Sequence, residues 1–137
     1  MERATLRSIA QSKYDDAELL FQNGRFSNAY YLFGYAAEIA IKARIAQKFL
    51  SDTIPDKKLV NDVYSHDLAK LILLAGLAEA LSEARKNSTN FDSNWSAISD
   101  WEETSRYDII AQARSTAMRN AMTDEEHGVF RWLQNYW

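Results

Sequence analysis

The stretch SNAYYLFGYAAEIAIKARIAQKFL, residues 27–50, decides the fold of this chain. Its apolar side chains recur at spacings of three and four residues, which is the period of an α-helix. They also cover more than one face, and a helix that is apolar on several faces is normally surrounded by other elements. We therefore predict a central helix over residues 27–50, with the rest of the chain packed around it.

Length and composition favour a single helical domain. The chain has 137 residues, of which only four are Gly and one is Pro, so few positions interrupt a helix. A chain of this size buries roughly two thirds of the surface that it exposes when unfolded. We predict one domain, residues 1–137, with an all-α fold: an up-and-down bundle of four to five helices.

Capping residues and apolar periodicity give the bounds of the predicted helices. Asn23 and Gly24 are good helix terminators, and Ser65 is placed to cap the helix that follows it. Thr123 begins the sequence Thr-Asp-Glu-Glu, which has the spacing of a capping box. The predicted helices cover residues 4–22, 27–50, 66–85, 106–122 and 124–136. Residues 51–64 and 86–94 are predicted as connectors, and residues 95–107 as a short helix whose two Trp cap the core.

Charge and cysteine content exclude several classes of protein. The net charge is −3 at pH 7, whereas proteins that coat nucleic acid without selectivity are strongly basic. The charges are uneven: residues 1–50 contain seven Lys or Arg against five Asp or Glu, and residues 51–105 contain five against ten. The absence of Cys excludes disulfides, thiolate zinc sites and cysteine nucleophiles. Since no apolar run approaches the roughly 18 residues of a membrane span, we expect a cytoplasmic protein that does not contact membranes.

The motifs of metal and nucleotide sites are also missing. His66 and His127 are the only two His, and they do not form the His-x3-His pair that places two ligands on one helical face. None of the four Gly has another Gly within five residues, so the sequence contains no Gly-rich phosphate loop. We expect neither a metal nor an organic cofactor.

Glu38 and Lys42 are two charged residues within the most apolar helix. They are four residues apart with Glu first, the spacing and order that favour an ion pair. In one interpretation they form this pair on the single polar strip of the helix. In the other, Glu38 neutralises Arg106 or Arg114, and Lys42 is left to bind an anion. His66, in the sequence SHDL, is predicted to have a structural or capping role.

The last third of the chain contains a second candidate site. In one straight helix, Arg119 and His127 would be about 12 Å apart along the axis, but a kink at Thr123 would bring them together. An Arg, the amide of Asn120 and an imidazole around a phosphodiester would form a metal-independent ribonuclease site, with His as base and Arg as charge stabiliser. The alternative is an exposed His127 in the first turn of the last helix.

Three segments together resemble the HEPN domain, a small helical domain. Residues 24–45, GRFSNAYYLFGYAAEIAIKARI, resemble its second helix with the Glu and Lys of that pattern. HDLAKLILLAG, residues 66–76, resembles its third helix, and SRYD, residues 105–108, resembles the Arg-Tyr entry to its fourth. The matches occur in the order of the family and span most of the chain.

The resemblance implies a helical bundle that forms a two-fold dimer with an anion-lined cleft between protomers. Many members of the family that this chain resembles are metal-independent RNases of toxin–antitoxin or defence systems. Others bind nucleotides or lack catalysis. Catalytic members have an Arg, usually followed by a polar residue, with four to six residues before a His. Arg119 and Asn120 are similar to the start of that motif, whereas seven residues separate Arg119 from His127.

Two functional hypotheses follow. In the first, the protein is a homodimer that binds RNA or a nucleotide phosphate in the cleft, and Glu38 and His66 orient the site. The substrate-binding residues would be Lys42, Arg106 and Arg114. The catalytic residues of an active RNase would be Arg119, Asn120 and His127. In the second hypothesis, the protein is a non-catalytic interaction module, such as an accessory subunit or an antitoxin-like partner. Its aromatic surface would consist of Trp95, Trp101, Trp132 and Trp137.

Overall fold

The computed structural model describes residues 1–49 and 51–137, and within them it contains helices and no β-strand. Eight α-helices and one 3-10 helix follow one another in these residues. They are α1 Arg3–Gln22, α2 Phe26–Ala46, α3 Lys57–Val63, α4 Leu68–Leu74, α5 Ala78–Asn87, α6 Thr89–Ser99, the 3-10 helix Glu103–Tyr107, α7 Gln112–Thr123 and α8 Val129–Gln134. The predicted all-α fold is confirmed, with more and shorter helices than expected. None of the helices in the described residues is both long enough and apolar enough to span a membrane.

α2 is the central helix, as predicted. Its side chains Phe33, Ile41 and Ile45 are fully buried, and α1, α4, α7 and α8 all pack against it. α1 and α2 are joined by a short turn at Gly24, whose φ of +74° suits glycine, and therefore run antiparallel. The helix ends at Ala46, earlier than predicted, and Leu50 of the predicted range lies outside the described residues.

Gly34 brings the 3-10 helix region close to α2. A Cβ atom at this position would lie 2.1 Å from Cδ1 of Trp101, so the indole packs where a side chain would otherwise stand. Trp101 also stacks on Tyr31, with 6.1 Å between the ring centroids. Trp101 and Trp95 are each only 3% exposed. The prediction that these two Trp contribute to an aromatic surface is wrong, because the core buries them.

The segment after α2 is divided more finely than the sequence predicted. Gly76, with φ of +71°, ends α4 and separates it from α5, so there is no single helix over residues 66–85. Asp67, rather than Ser65, caps α4 by accepting a hydrogen bond from the Lys70 N–H. Both differences have a local cause: a left-handed glycine stops a helix, and a carboxylate is at least as good a cap as a hydroxyl.

Two of the predicted connectors contain helices. α3 begins after Asp56, whose side chain accepts from the Lys58 N–H, and α6 begins after Ser88, whose hydroxyl accepts from the Phe91 N–H. These helices are short, and most of the stability of a short helix comes from tertiary packing and capping rather than from its own sequence. Periodicity alone therefore did not predict them.

α7 and α8 are joined by a turn that the capping-box prediction missed. Thr123 belongs to α7, and its hydroxyl donates to the carbonyl of Arg119 at 2.8 Å. Asp124 instead accepts from the backbone N–H groups of Glu126 and His127, at 3.0 and 2.6 Å. The predicted helix start at residue 124 is wrong, because this Asp-centred turn delays the last helix until Val129.

Candidate functional site

Glu38 is buried in the middle of α2 and has two partners. Its side chain is 2% exposed; Oε2 lies 3.3 Å from Nζ of Lys42, and Oε1 lies 2.8 Å from Nδ1 of His66. A carboxylate only accepts hydrogen bonds, so Nδ1 of His66 carries the hydrogen in this contact. Both oxygens are therefore satisfied, which is the condition under which a buried charge is tolerated. Nowhere in the described residues do three His, Asp or Glu side chains come together as metal ligands.

These contacts decide between the two interpretations of Glu38. The pair with Lys42 is formed, and the alternative, in which Glu38 neutralises Arg106 or Arg114, is wrong. Arg106 pairs with Glu103 and lies over the ring of Tyr107. Arg114 donates to the hydroxyl of Tyr30 at 3.0 Å and stacks over that ring at 4.8 Å. Each arginine has a nearer partner than Glu38.

A groove of about 890 Å³ opens beside Glu38 and Lys42, between α1, α2 and α3. Its aliphatic lining consists of Leu6, Ile9, Ile39, Ile45, Val60 and Val63. Tyr35 and Lys13 line it as well, and no Asp or Glu of the described residues lies within ion-pair distance of Lys13. The volume is that of a small-molecule pocket, which is typically about 300–1,000 Å³. The groove thus combines apolar walls with the cationic side chains of Arg3, Lys13 and Lys42 and the carboxylates of Glu2 and Glu38.

Four residues of α2 form a continuous stripe beside this groove: Tyr31, Tyr35, Glu38 and Lys42, here called the α2 stripe. Their spacings of four, three and four residues place them on one face, and the rings of Tyr31 and Tyr35 are 5.8 Å apart. Burial raises the pKa of both phenols, and the charges of Arg106 and Glu103 act on each of them. The two tyrosines therefore stay protonated at neutral pH. The ion pair Arg106–Glu103 is next to Tyr31, and the pair Lys42–Glu38 follows Tyr35 along α2.

Arg119 and Asn120 lie elsewhere, on the face of α7 that meets α1. Nε and Nη2 of Arg119 donate to the two oxygens of Glu18 at 3.0 and 2.7 Å, and Nη1 donates to Oδ1 of Asn120 at 3.3 Å. The bond from Arg119 lowers the pKa of the Glu18 carboxyl and raises that of the guanidinium. Arg119 is thus engaged by a carboxylate.

His127 has a different set of neighbours. Its Nδ1 lies 3.1 Å from the hydroxyl of Ser88, and its carbonyl accepts from the amide of Asn94 at 2.9 Å. Within the described part of the chain, no hydrogen bond or ion pair joins His127 to Arg119 or Asn120. One chain therefore does not bring the three predicted catalytic residues together, and their catalytic role stays a prediction.

Lys13, Tyr31 and Tyr35 belong to the candidate site, although the sequence patterns did not predict them there. The two tyrosines were detectable, because they continue the helical register of Glu38 and Lys42 towards the N-terminus of α2. Lys13 was not, since it reaches the groove only through the packing of α1 on α2. Its place within the apolar stripe of α1 was the only signal in the sequence.

Comparison with protein families agrees with the resemblance in the sequence. The HEPN domain family matches residues 4–127, a range that contains the α2 stripe, His66, Arg106 and the whole of α7. Comparison with curated proteins and with solved structures gives no significant match. The all-helical architecture of the described residues agrees with the fold of the family. The match covers nearly the whole chain, and the protein therefore belongs to the HEPN family.

Proposed function

We propose that this protein binds the phosphate groups of RNA or of a nucleotide along the α2 stripe and the adjoining groove. The observation that carries the proposal is the row of side chains formed by Arg106, Tyr31, Tyr35 and Lys42, with Lys13 in the adjoining groove. Arg106 is paired with Glu103 and Lys42 with Glu38. Aromatic rings stack on bases, and Lys and Arg neutralise phosphates. HEPN proteins are often RNases or nucleotide-related proteins, which supports the same ligand class.

Glu38 and His66 orient Lys42 in this proposal. The Lys42 ammonium has three hydrogens, of which Glu38 engages one, so two are available to a phosphate. His66 holds the other oxygen of Glu38 and keeps the carboxylate in place. Arg114, which lies on Tyr30 instead of on the stripe, has less support as a binding residue than Arg106.

A second copy of the chain completes the site in this proposal. HEPN domains often dimerise, and α3, which forms one wall of the groove, has no fully buried residue in the single chain. A partner protomer that covers this wall would place the phosphates in a cleft between protomers. Any RNA cleavage would use His127 as base with Arg119 and Asn120 at the phosphate, as part of a toxin or defence system with a cognate antitoxin.

The competing hypothesis is a protein-interaction module of the accessory or antitoxin-like kind. It has less support from the geometry, because Trp95 and Trp101 are core residues. Only Trp132 and Trp137 of the four Trp retain partial exposure.

Salt-dependent binding tests the proposal. A fluorescent mixed-sequence RNA and a fluorescent ADP are titrated with the protein at several salt concentrations. We expect affinity to fall as salt rises, and Arg106→Gln to weaken binding about tenfold and reduce the RNA salt slope by about 0.7.

Because Lys42→Gln alone would leave the buried Glu38 carboxylate without its cation, Lys42 is tested as the pair Glu38→Gln with Lys42→Gln. Arg85→Gln removes an equal charge outside the stripe and serves as control. Salt-insensitive or absent binding of both ligands contradicts the proposal, as does an equal loss in the control.

Cleavage is measured separately on the same RNA in EDTA, beside the His127→Ala variant. Products that the wild type forms and the variant does not would establish a metal-independent RNase. RNA that stays intact at several protein concentrations would restrict the function to binding.

A further inference from the structure

Ser88, His127 and Glu126 form a second cluster of side chains. It shares no residue with the α2 stripe. Ser88 Oγ lies 3.1 Å from Nδ1 of His127, and Nε2 of the same ring lies 3.5 Å from Oε2 of Glu126. A hydroxyl next to an imidazole whose other nitrogen faces a carboxylate is the arrangement that activates a serine nucleophile. In this cluster the hydroxyl is at Nδ1 and the carboxylate at Nε2.

The positions of the hydrogens follow from the neighbours of each atom. In the tautomer with its hydrogen on Nε2, that hydrogen faces the Glu126 carboxylate, which only accepts. Nδ1 then has a lone pair that requires a donor, and among the residues that the structure describes this donor is the Ser88 hydroxyl. The Phe91 N–H donates to Ser88 Oγ at 3.0 Å, which leaves the hydroxyl hydrogen free for Nδ1. The chain of hydrogen bonds runs from Phe91 through Ser88 to His127.

The protein holds both groups of this pair firmly. The His127 backbone is fixed by bonds from its N–H to Asp124 and to its carbonyl from Asn94. Ser88 is fixed as the cap of α6. A cavity of about 300 Å³ adjoins them, and Asn87, Phe91, Arg131 and Trp132 contribute to its lining. The cavity has room for a small acyl group next to the hydroxyl.

We propose that Ser88 is a nucleophile activated by His127, and that this cavity accepts small activated acyl esters. Ser88 Oγ attacks the carbonyl carbon of the ester, so the Oγ–C bond forms and the bond from carbon to the leaving oxygen breaks. The hydroxyl proton passes to Nδ1 of His127 and from there to the leaving oxygen. The products are acyl-Ser88 and the free alcohol or phenol. The Phe91 and Asp92 N–H groups of α6 are bonded to Ser88, whereas those of Thr89 and Asn90 in the same first turn lack intrahelical acceptors and favour the oxyanion of the intermediate. This activity lies beyond phosphate binding at the α2 stripe and does not depend on it.

The test uses p-nitrophenyl acetate and the full chain. We expect p-nitrophenol release to accompany acetylation of Ser88, which is located by peptide mass mapping. Ser93, an exposed serine on the same helix without a histidine partner, is the control in the same spectrum. His127→Gln should slow acetylation of Ser88 about a hundredfold, the usual contribution of a positioned base. Ser88→Asn keeps a side chain that can cap α6 but has no nucleophile. This variant should abolish the p-nitrophenol release that accompanies acetylation of Ser88.

Two results would overturn the proposal. One is acetylation of Ser88 no faster than that of Ser93 in the wild type, a comparison that needs no variant to fold. The other is an unchanged rate at Ser88 in a His127→Gln protein whose circular dichroism spectrum matches that of the wild type.

Discussion

Glu38 and Glu18 are both held by cations, but their environments differ. Glu38 is 2% exposed and is bound by Lys42, four residues away, and by His66. Glu18 is 30% exposed and accepts hydrogen bonds from Nε and Nη2 of Arg119. The first contact was predictable from helical spacing, whereas the second joins residues 101 positions apart and depends on the packing of α7 against α1. Arg119, a predicted catalytic residue, therefore also has a measurable structural contact.

The Glu18–Arg119 pair predicts a pH dependence of stability. The hydrogen bond from Arg119 lowers the pKa of Glu18, so folding favours the carboxylate. The stabilisation is complete above the ordinary pKa of a Glu, about 4.3, and is lost as pH falls through the lowered value. Because the pair is partly exposed, we expect Glu18→Gln to cost only about 1 kcal/mol at pH 7. Urea unfolding at pH 7 and pH 3 measures this difference, which should be smaller at pH 3. A difference that is equal at both pH values would contradict the assignment.

At the scale of helices, the sequence predicted the long elements and missed the short ones. α1 and α2 have 20 and 21 residues, long enough for apolar periodicity to define them. α3 has seven residues, none of them fully buried, and is too short for apolar periodicity to define it. The candidate site divides in the same way: Glu38 and Lys42 follow from spacing within α2, and His66 joins them only through the packing of α4 onto α2.

At Gly34, an added Cβ atom would have two opposite effects on stability: a better helix propensity and a clash with Trp101. Helix propensity alone favours Gly34→Ala by about 1 kcal/mol. The new Cβ would lie 2.1 Å from the Trp101 ring, and overpacking of a buried site costs about 1–3 kcal/mol or more. We expect the clash to dominate, with a net loss of about 2 kcal/mol in the free energy of unfolding measured with urea. In a protein that already carries Trp101→Leu, Gly34→Ala should cost less free energy of unfolding than it does in the wild type, because the indole is gone. A Gly34→Ala protein more stable than the wild type would show that Trp101 yields at little cost.

The distribution of charge and of apolar surface over the molecule indicates that the face with the groove is the face that binds a partner. Residues 1–50, a range that contains α1 and α2, carry a net positive charge, and residues 51–105 carry the acidic excess. Two of the helices around the groove, α1 and α2, belong to the positive part, and the lining of the groove is mostly apolar. Tyr64, which also lines it, is 75% exposed in the single chain. An apolar surface of this kind beside cationic groups is typical of a surface that becomes buried on association.

The proposed homodimer gives the final prediction. If a second copy covers the groove, sedimentation equilibrium should show a dimer that dissociates on dilution. Tyr64→Glu would place a charge in an apolar contact and should weaken the dimer at least about tenfold, which corresponds to about 1.4 kcal/mol. Leu19→Glu is the matched control, because Leu19 is 63% exposed on α1 and does not line the groove. Equal weakening by both variants would place the contact elsewhere, and a monomer at all concentrations would remove the second copy from the proposed site. RNA affinity that falls together with dimerisation in Tyr64→Glu would in turn connect the cleft between protomers to phosphate binding.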